Sequence, residues 1–181
     1  MSFRSEFGED KWVAENVDLP AKGFYLDVGC ADPITYSNTA FLRERGWAGL
    51  AVDGNPIYAP RWGKEFVNAV ISTYPLVQFA RHANSVTSRV ENGAPQVPAI
   101  SLTKLLTDRK IETVDFMSVD AEGHEFEVIQ SLDLTKWRPQ VIVSEFNTGG
   151  LPLDFRVYDH LQKSGYRPVH RTFSNFIFLR Q

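Results

Sequence analysis

The segment "GFYLDVG", residues 23–29, has apolar side chains on both of the faces a strand would present, until it reaches Asp27. Such a strand must be covered on both sides, as happens in a parallel sheet flanked by helices. Four further segments extend the pattern: "GLAVDGNP" (49–56), "FVNAVIS" (66–72), "VDFMSVD" (114–120) and "QVIVSEFN" (140–147). Helical segments fall between them. "NTAFLRERG" (38–46) is capped by Asn38 and stopped at Gly46. A short helix is expected around Arg61 to Glu65. "SLTKLLTDRK" (101–110) has Ser101 at its cap, followed by "EFEVIQSLDL" (125–134) and "LDFRVYDHLQKSG" (153–165), which ends at Gly165. Strands alternating with helices imply parallel pairing with right-handed crossovers. The tail "YRPVHRTFSNFIFLR" (166–180) reads as two strands joined by a tight turn at Ser174-Asn175, so the last strand is reversed. The expected fold is a doubly wound α/β sheet with that reversal. Before it, Ser5 is expected to cap a helix with Phe7, Trp12, Val13 and Val17 as its apolar stripe, ending before Pro20. "LVQFA" (76–80) reads as a strand, and residues 81–98 as an irregular loop rich in turn formers.

The 181 residues fit one domain, with residues 1–20 forming an N-terminal helix and 21–181 the core. Hydrophobic residues make up 43% and charged residues 23%, within the ordinary globular range. A net charge of −3, with only Arg81, His82 and Arg89 as a thin basic cluster, argues against a nucleic-acid partner. Cys30 is the single cysteine, which agrees with a reducing compartment. No apolar stretch could span a bilayer, and "MSFRSEFGEDKW" lacks the apolar core of a signal peptide, so a cytoplasmic protein is expected.

Function is suggested by where the apolar runs stop. Asp27, Asp53, Asp120 and Glu145 each close a strand. In open α/β sheets ligands bind outside those strand ends, at the topological switch point. Gly29 lets backbone approach a ligand, with Cys30 and Ala31 beside it at the start of the turn. Asp53, followed by Gly54 and Asn55, is placed to accept bonds from a ribose diol. Ala31 and Pro33 stand where a dinucleotide fingerprint would have glycines, so a pyrophosphate has little bare backbone to rest on. A nucleoside ligand without phosphate, such as S-adenosylmethionine, fits better than a nicotinamide dinucleotide.

"YLDVGCADPITYSNTAFLRERGWAGLAVDGNP" and "VDFMSVDAEGHEFEVIQSLD" together resemble the FkbM family of S-adenosylmethionine-dependent methyltransferases. The matching positions are Asp27 and Gly29, then Asp53, Asn55 and Pro56, then Asp120, Glu122, Gly123 and Glu125. "SEFGED" resembles a Ser-Gln-x-Gly-Glu-Asp element found before the first strand in part of the family, with Glu6 in place of Gln. Cys30 replaces a more usual Ala, and Asp53 a more usual, longer Glu. The resemblance implies a Rossmann-like, mostly parallel seven-stranded sheet of the class I methyltransferase type. It also implies methyl transfer from S-adenosylmethionine to a hydroxyl of a sugar, glycan or natural-product scaffold. Cofactor contacts are then expected from Asp27, Gly29, Cys30, Ala31, Asn38, Asp53, Gly54, Asn55 and Asp120.

Asp120, His124 and Glu122 are the candidate catalytic groups. Asp120 and His124 are expected to flank the methyl group as possible bases; His124 reads equally as a surface histidine at a helix start. Glu122 and Glu125 read alternatively as first-turn residues complementing a helix dipole. Asp120, Glu145 and Asn147 are hard oxygen donors that could hold Mg²⁺, although hydrogen bonding to substrate or loops explains Glu145 and Asn147 as well, and no metal is assigned. Trp47, Trp62 and Trp137 are expected in the core. Two rival functions remain: a nicotinamide-dependent oxidoreductase, and a cofactor-binding domain without catalysis, which would show erosion of the motif at Asp120, Glu122, Gly123 and Glu125.

Overall fold

The computed structural model describes residues 2–82, 88–146 and 154–181. Its strands are β1 (Phe24–Val28), β2 (Ala48–Asp53), β3 (Phe66–Asn68), β4 (Val70–Ile71), β5 (Leu76–Ala80), β6 (Arg89–Val90), β7 (Gln96–Ile100), β8 (Phe116–Val119), β9 (Val141–Glu145), β10 (Tyr166–Arg171) and β11 (Asn175–Arg180). Its α-helices are α1 (Glu9–Asn16), α2 (Ala40–Glu44), α3 (Ala59–Trp62), α4 (Leu102–Asp108), α5 (Glu125–Gln130) and α6 (Arg156–Lys163). Seven strands form one sheet in the order β10-β11-β9-β8-β1-β2-β3. Strands β9, β8, β1, β2 and β3 run parallel, and β11 runs against both of its neighbours. This mixed α/β arrangement is consistent with the class I methyltransferase type.

The two-residue period of a strand sorts the side chains onto two buried faces. Leu26, Val28, Met117, Val119, Ile142 and Phe178 face a cluster that includes residues of α4, α5 and α6. Tyr25, Phe116, Val141, Val143 and Ile177 face residues of α1, α2 and α3. Trp47, Trp62 and Trp137 are all buried, as expected.

Several boundaries differ from the sequence reading. "FVNAVIS" is not one strand. The amide of Ala69 and Nδ2 of Asn68 both donate to the carbonyl of Asp53, which ends β3. The chain then leaves the main sheet, and β4 joins a second, four-stranded sheet in the order β4-β7-β5-β6. The segment expected to be an irregular loop therefore supplies β6 and much of β7; turn-forming residues and two prolines masked these short strands. Helix α1 starts after Gly8, not Ser5, but the Ser5 hydroxyl still accepts from the first-turn amide of Asp10 at 3.3 Å. Asn38 does not cap α2: Ser37 Oγ accepts from Ala40 N, and Asn38 Nδ2 donates to Ser118 Oγ at 3.1 Å. Ser101 does cap α4, accepting from Lys104 N. Asn175 opens β11 and is not part of the turn before it.

Candidate active site

The ends of β1 and β8 approach so closely that no side chain fits between them. An ideal Cβ on Gly29 would lie 1.6 Å from the carbonyl oxygen of Asp120, and Gly29 has φ +73°. Glycine is required here by the chain's own backbone, not only by a ligand. The amides of Gly29 and Cys30 donate to the carbonyl of Val52. The Asp53 carboxylate accepts from Ala31 N (3.1 Å) and Asn55 N (2.7 Å), tying the turn after β1 to the turn after β2.

Two cavities meet at this contact, both lined by Gly29 and Asp120. The first, about 470 Å³ including solvent at its mouth, is mainly apolar, with Val52, Ile71, Phe79 and Val90 around Asp53 and Gly54. The second, about 680 Å³ on the same basis, is polar: Asp27, Cys30, Ala31, Asn38, Ser118, Glu122 and Glu145 line it, along with Glu6 and Tyr36. Eight of the nine expected cofactor contacts therefore line one cleft: Asp27, Gly29, Cys30, Ala31, Asn38, Asp53, Gly54 and Asp120. Asn55 is not among them. Its side chain is buried, donating to His82 O and Ser88 Oγ and accepting from Ile57 N, and it caps a 3₁₀ turn at Pro56–Tyr58. Asn147 lies outside the described residues.

The polar half has a simple origin in strand register. Val28 pairs with Val119, Val119 with Ser144, and Glu145 with Asn175. One residue past the Val28–Val119 pair, Gly29, Asp120, Glu145 and Asn175 form a row across the sheet top. Side chains in register share a face, so the apolar face of Phe116, Val141, Val143 and Ile177 becomes polar towards its end. Ser118 and Asp27 come first, then Asp120, Glu145 and Asn175.

Burial and mutual repulsion shift these acids. Asp27 is 4% exposed; loss of water pushes its pKa up to about 6, with the Asp53 charge adding, while the 2.6 Å bond from Thr39 Oγ1 opposes. Asp53 is shifted up by burial against its two amide donors. Asp120 opens onto the cleft, yet surrounding protein and the charges of Glu145, Glu122 and Glu125 hold its pKa well above the usual range. Because its surface meets solvent, the crowding by three carboxylates is the firmer cause. Glu122 is also raised, by burial, with Arg89 opposing.

The turn after β8 is shaped by Glu125. Its Oε1 accepts from Ala121 N (2.8 Å) and Gly123 N (3.0 Å), in a stretch where Glu122 and Gly123 have φ 53° and 96°. Glu125 thus fits the helix-start reading, while Glu122 faces the cavity. His124 is not a surface residue: its side chain is 13% exposed, with Nε2 3.1 Å from Ser72 Oγ and Nδ1 3.6 Å from Glu127. Burial lowers its pKa, with the Glu127 charge opposing. Nor does it sit with Glu145. It lines the apolar half with Asp53, so it and Glu122 are on different sides of the Gly29–Asp120 contact.

Glu6, Ser118 and Asn175 were missed as site residues. Ser118 and Asn175 could have been found by counting two residues along each strand from its terminal acid or across the hairpin. Glu6 reaches the site because Glu9 and Asp10, both 1% exposed, fasten the N-terminal segment. Glu9 accepts from Thr172 Oγ1 and Asn175 Nδ2, and Asp10 from the amides of Arg4 and Ser5.

No helix among the described residues is long and apolar enough to cross a membrane. Comparison with curated proteins and with solved structures finds no match to the chain. The model of one family, the methyltransferase FkbM domain, matches residues 27–168, which run from the carboxylate of β1 into β10. With the acidic strand ends, the Asp-Ala-Glu-Gly-His-Glu turn and this match over most of its length, the chain belongs to the FkbM methyltransferase-domain family.

Proposed function

We propose that this chain is an S-adenosylmethionine-dependent O-methyltransferase acting on a hydroxyl of a sugar, glycan or natural-product scaffold, carried by one domain in the cytoplasm. The observation that carries this reading is the division of the cleft at Gly29 and Asp120. One half is lined mostly by apolar residues, with Asp53 and the shared Asp120 as its acids, and suits a nucleoside. The other has, among the described residues, five carboxylates (Glu6, Asp27, Asp120, Glu122 and Glu145) and no Lys, Arg or His in its lining. A cationic sulfonium ligand is favoured there, and a dinucleotide pyrophosphate is disfavoured.

When bound, the cofactor supplies a methyl group whose C–S bond breaks as the acceptor oxygen forms its C–O bond. The chain's own residues do the rest. Asp53 keeps lone pairs beyond its two amide bonds for a ribose diol. Asp120 lies at the boundary of the halves, where a carboxylate with a raised pKa can take the acceptor's hydroxyl proton. Glu122 and Glu145 orient the acceptor. Alignment of the two reactants can contribute ~7–11 kcal/mol.

Calorimetric titration with S-adenosylmethionine and with NAD tests the reading, followed by transfer of labelled methyl to a panel of sugars. Saturable binding of the first alone is expected. Binding of NAD alone would replace this reading with the oxidoreductase, and cofactor binding with no transfer to any acceptor would favour the non-catalytic domain.

A further inference from the structure

We propose that the polar half of the cleft binds one hard divalent cation, Mg²⁺ or Mn²⁺, on Asp120, Glu145 and Glu125, with Oδ1 of Asn175 as a neutral donor. The oxygens of the three acids lie within 4.8 Å of one another. A cation bound to oxygens at about 2.1 Å places ligands on its opposite sides about 4.2 Å apart, so a small ion spans this set with little movement. Sequence spacing alone had paired Asp120 and Glu145 with Asn147 and left the set incomplete. The fold brings in Glu125 from the start of α5: its Oε1 accepts from two amides, and one of its carboxylate oxygens lies within the set.

Asn175 is the independent observation. It is 7% exposed, and its Nδ2 is fixed on Glu9 Oε1 at 2.9 Å. That bond sets the amide's orientation and leaves Oδ1 buried without a partner. A buried carbonyl oxygen without a donor is unfavourable, because it has lost water and gained nothing in exchange. Asn175 stands opposite Glu145 in the ladder and lines a small cavity with Asp120, Glu145 and Glu6. A cation answers both the orphaned oxygen and the gathering of three carboxylates. The donors are all oxygen, which selects Mg²⁺, Mn²⁺ or Ca²⁺ over Zn²⁺. Its chemical role rests on the methyl-transfer reading: the ion would take the acceptor's hydroxyl oxygen and lower the pKa of that hydroxyl.

The test uses the full chain stripped with a chelator, without cofactor or acceptor, so it stands apart from the methyl-transfer reading. Mn²⁺ is titrated and followed by electron paramagnetic resonance, with Mg²⁺ as competitor; circular dichroism confirms folding. One ion per chain with a Kd at or below about 1 mM is expected. Glu145→Gln should raise that Kd at least tenfold, and Asn175→Asp, which adds a charged donor, should lower it. No saturable uptake by about 10 mM, or a Kd that both variants leave unchanged, overturns the site. A chain that binds Mn²⁺ as described but never S-adenosylmethionine would refute the methyl-transfer reading and leave the cation site standing.

Discussion

The carbonyl oxygen of Asp120 occupies the space a side chain on Gly29 would need, 1.6 Å from an ideal Cβ. Backbone cannot retreat cheaply here, because Gly29 N is bonded to Val52 O and Asp120 N to Val28 O. Gly29→Ala should therefore destabilise the fold itself by roughly 3 kcal/mol or more, adding a left-handed φ to a backbone clash. The check is the urea midpoint of the variant without cofactor. An unchanged midpoint would mean that β1 and β8 do not approach as described.

Asp53 should matter twice. Its two oxygens each hold a turn amide, and its remaining lone pairs face the apolar half. Asp53→Ala should weaken cofactor binding by about 1.5–3 kcal/mol. Asp53→Asn keeps only one acceptor oxygen and should fall between. Calorimetry on both variants decides, and a wild-type Kd for Asp53→Ala would remove the ribose assignment.

The parallel core was legible because its strands are apolar on both faces, and the reversed last strand because "FSNF" sits between two strand-like runs. The four-stranded sheet was not: β4 and β6 have two residues each, too short for any periodicity to register. Within the site, Asp27, Asp53, Asp120 and Glu145 were readable as strand ends. Asn175 was not, since its place beside Glu145 depends on hairpin register. That His124 lines the cavity with Asp53 was not legible, because adjacency to Asp120 in sequence does not tell which way a tight turn aims the next side chains.

Asp27 gives a pH test with a defined sign. Its pKa is raised to about 6 by burial, from an ordinary carboxylate value near 3.8, so between those values the folded chain holds a proton that the unfolded chain releases. Wild-type stability from this group therefore falls as pH rises through the window. Asp27→Asn lacks the proton and the dependence. Its advantage over wild type should grow by about 2 kcal/mol from pH 4 to pH 7, on the 1.36 kcal/mol per unit scale. Denaturant unfolding at both pH values measures it, and a constant difference would place Asp27 among ordinary solvated acids. Weaker cofactor binding by the variant is expected as well, since the carboxylate that burial disfavours is the one a cation would offset.

Asp120 and His124 separate chemistry from binding. Asp120 borders both halves of the cleft, whereas His124 lines the apolar half alone, its ring held near Ser72 and Glu127. Interactions that act in the transition state change turnover, and those present equally in the ground state change only affinity. Asp120→Asn should therefore reduce single-turnover methyl transfer by roughly 10²–10⁴-fold with little change in cofactor Kd. His124→Ala should weaken the cofactor by about 1 kcal/mol and leave transfer near normal at saturation. Transfer at the wild-type rate by Asp120→Asn would move the base to Glu122 or Glu145. A large loss of turnover in His124→Ala, at saturating cofactor, would show that the turn after β8 rearranges to bring the imidazole across to the polar half.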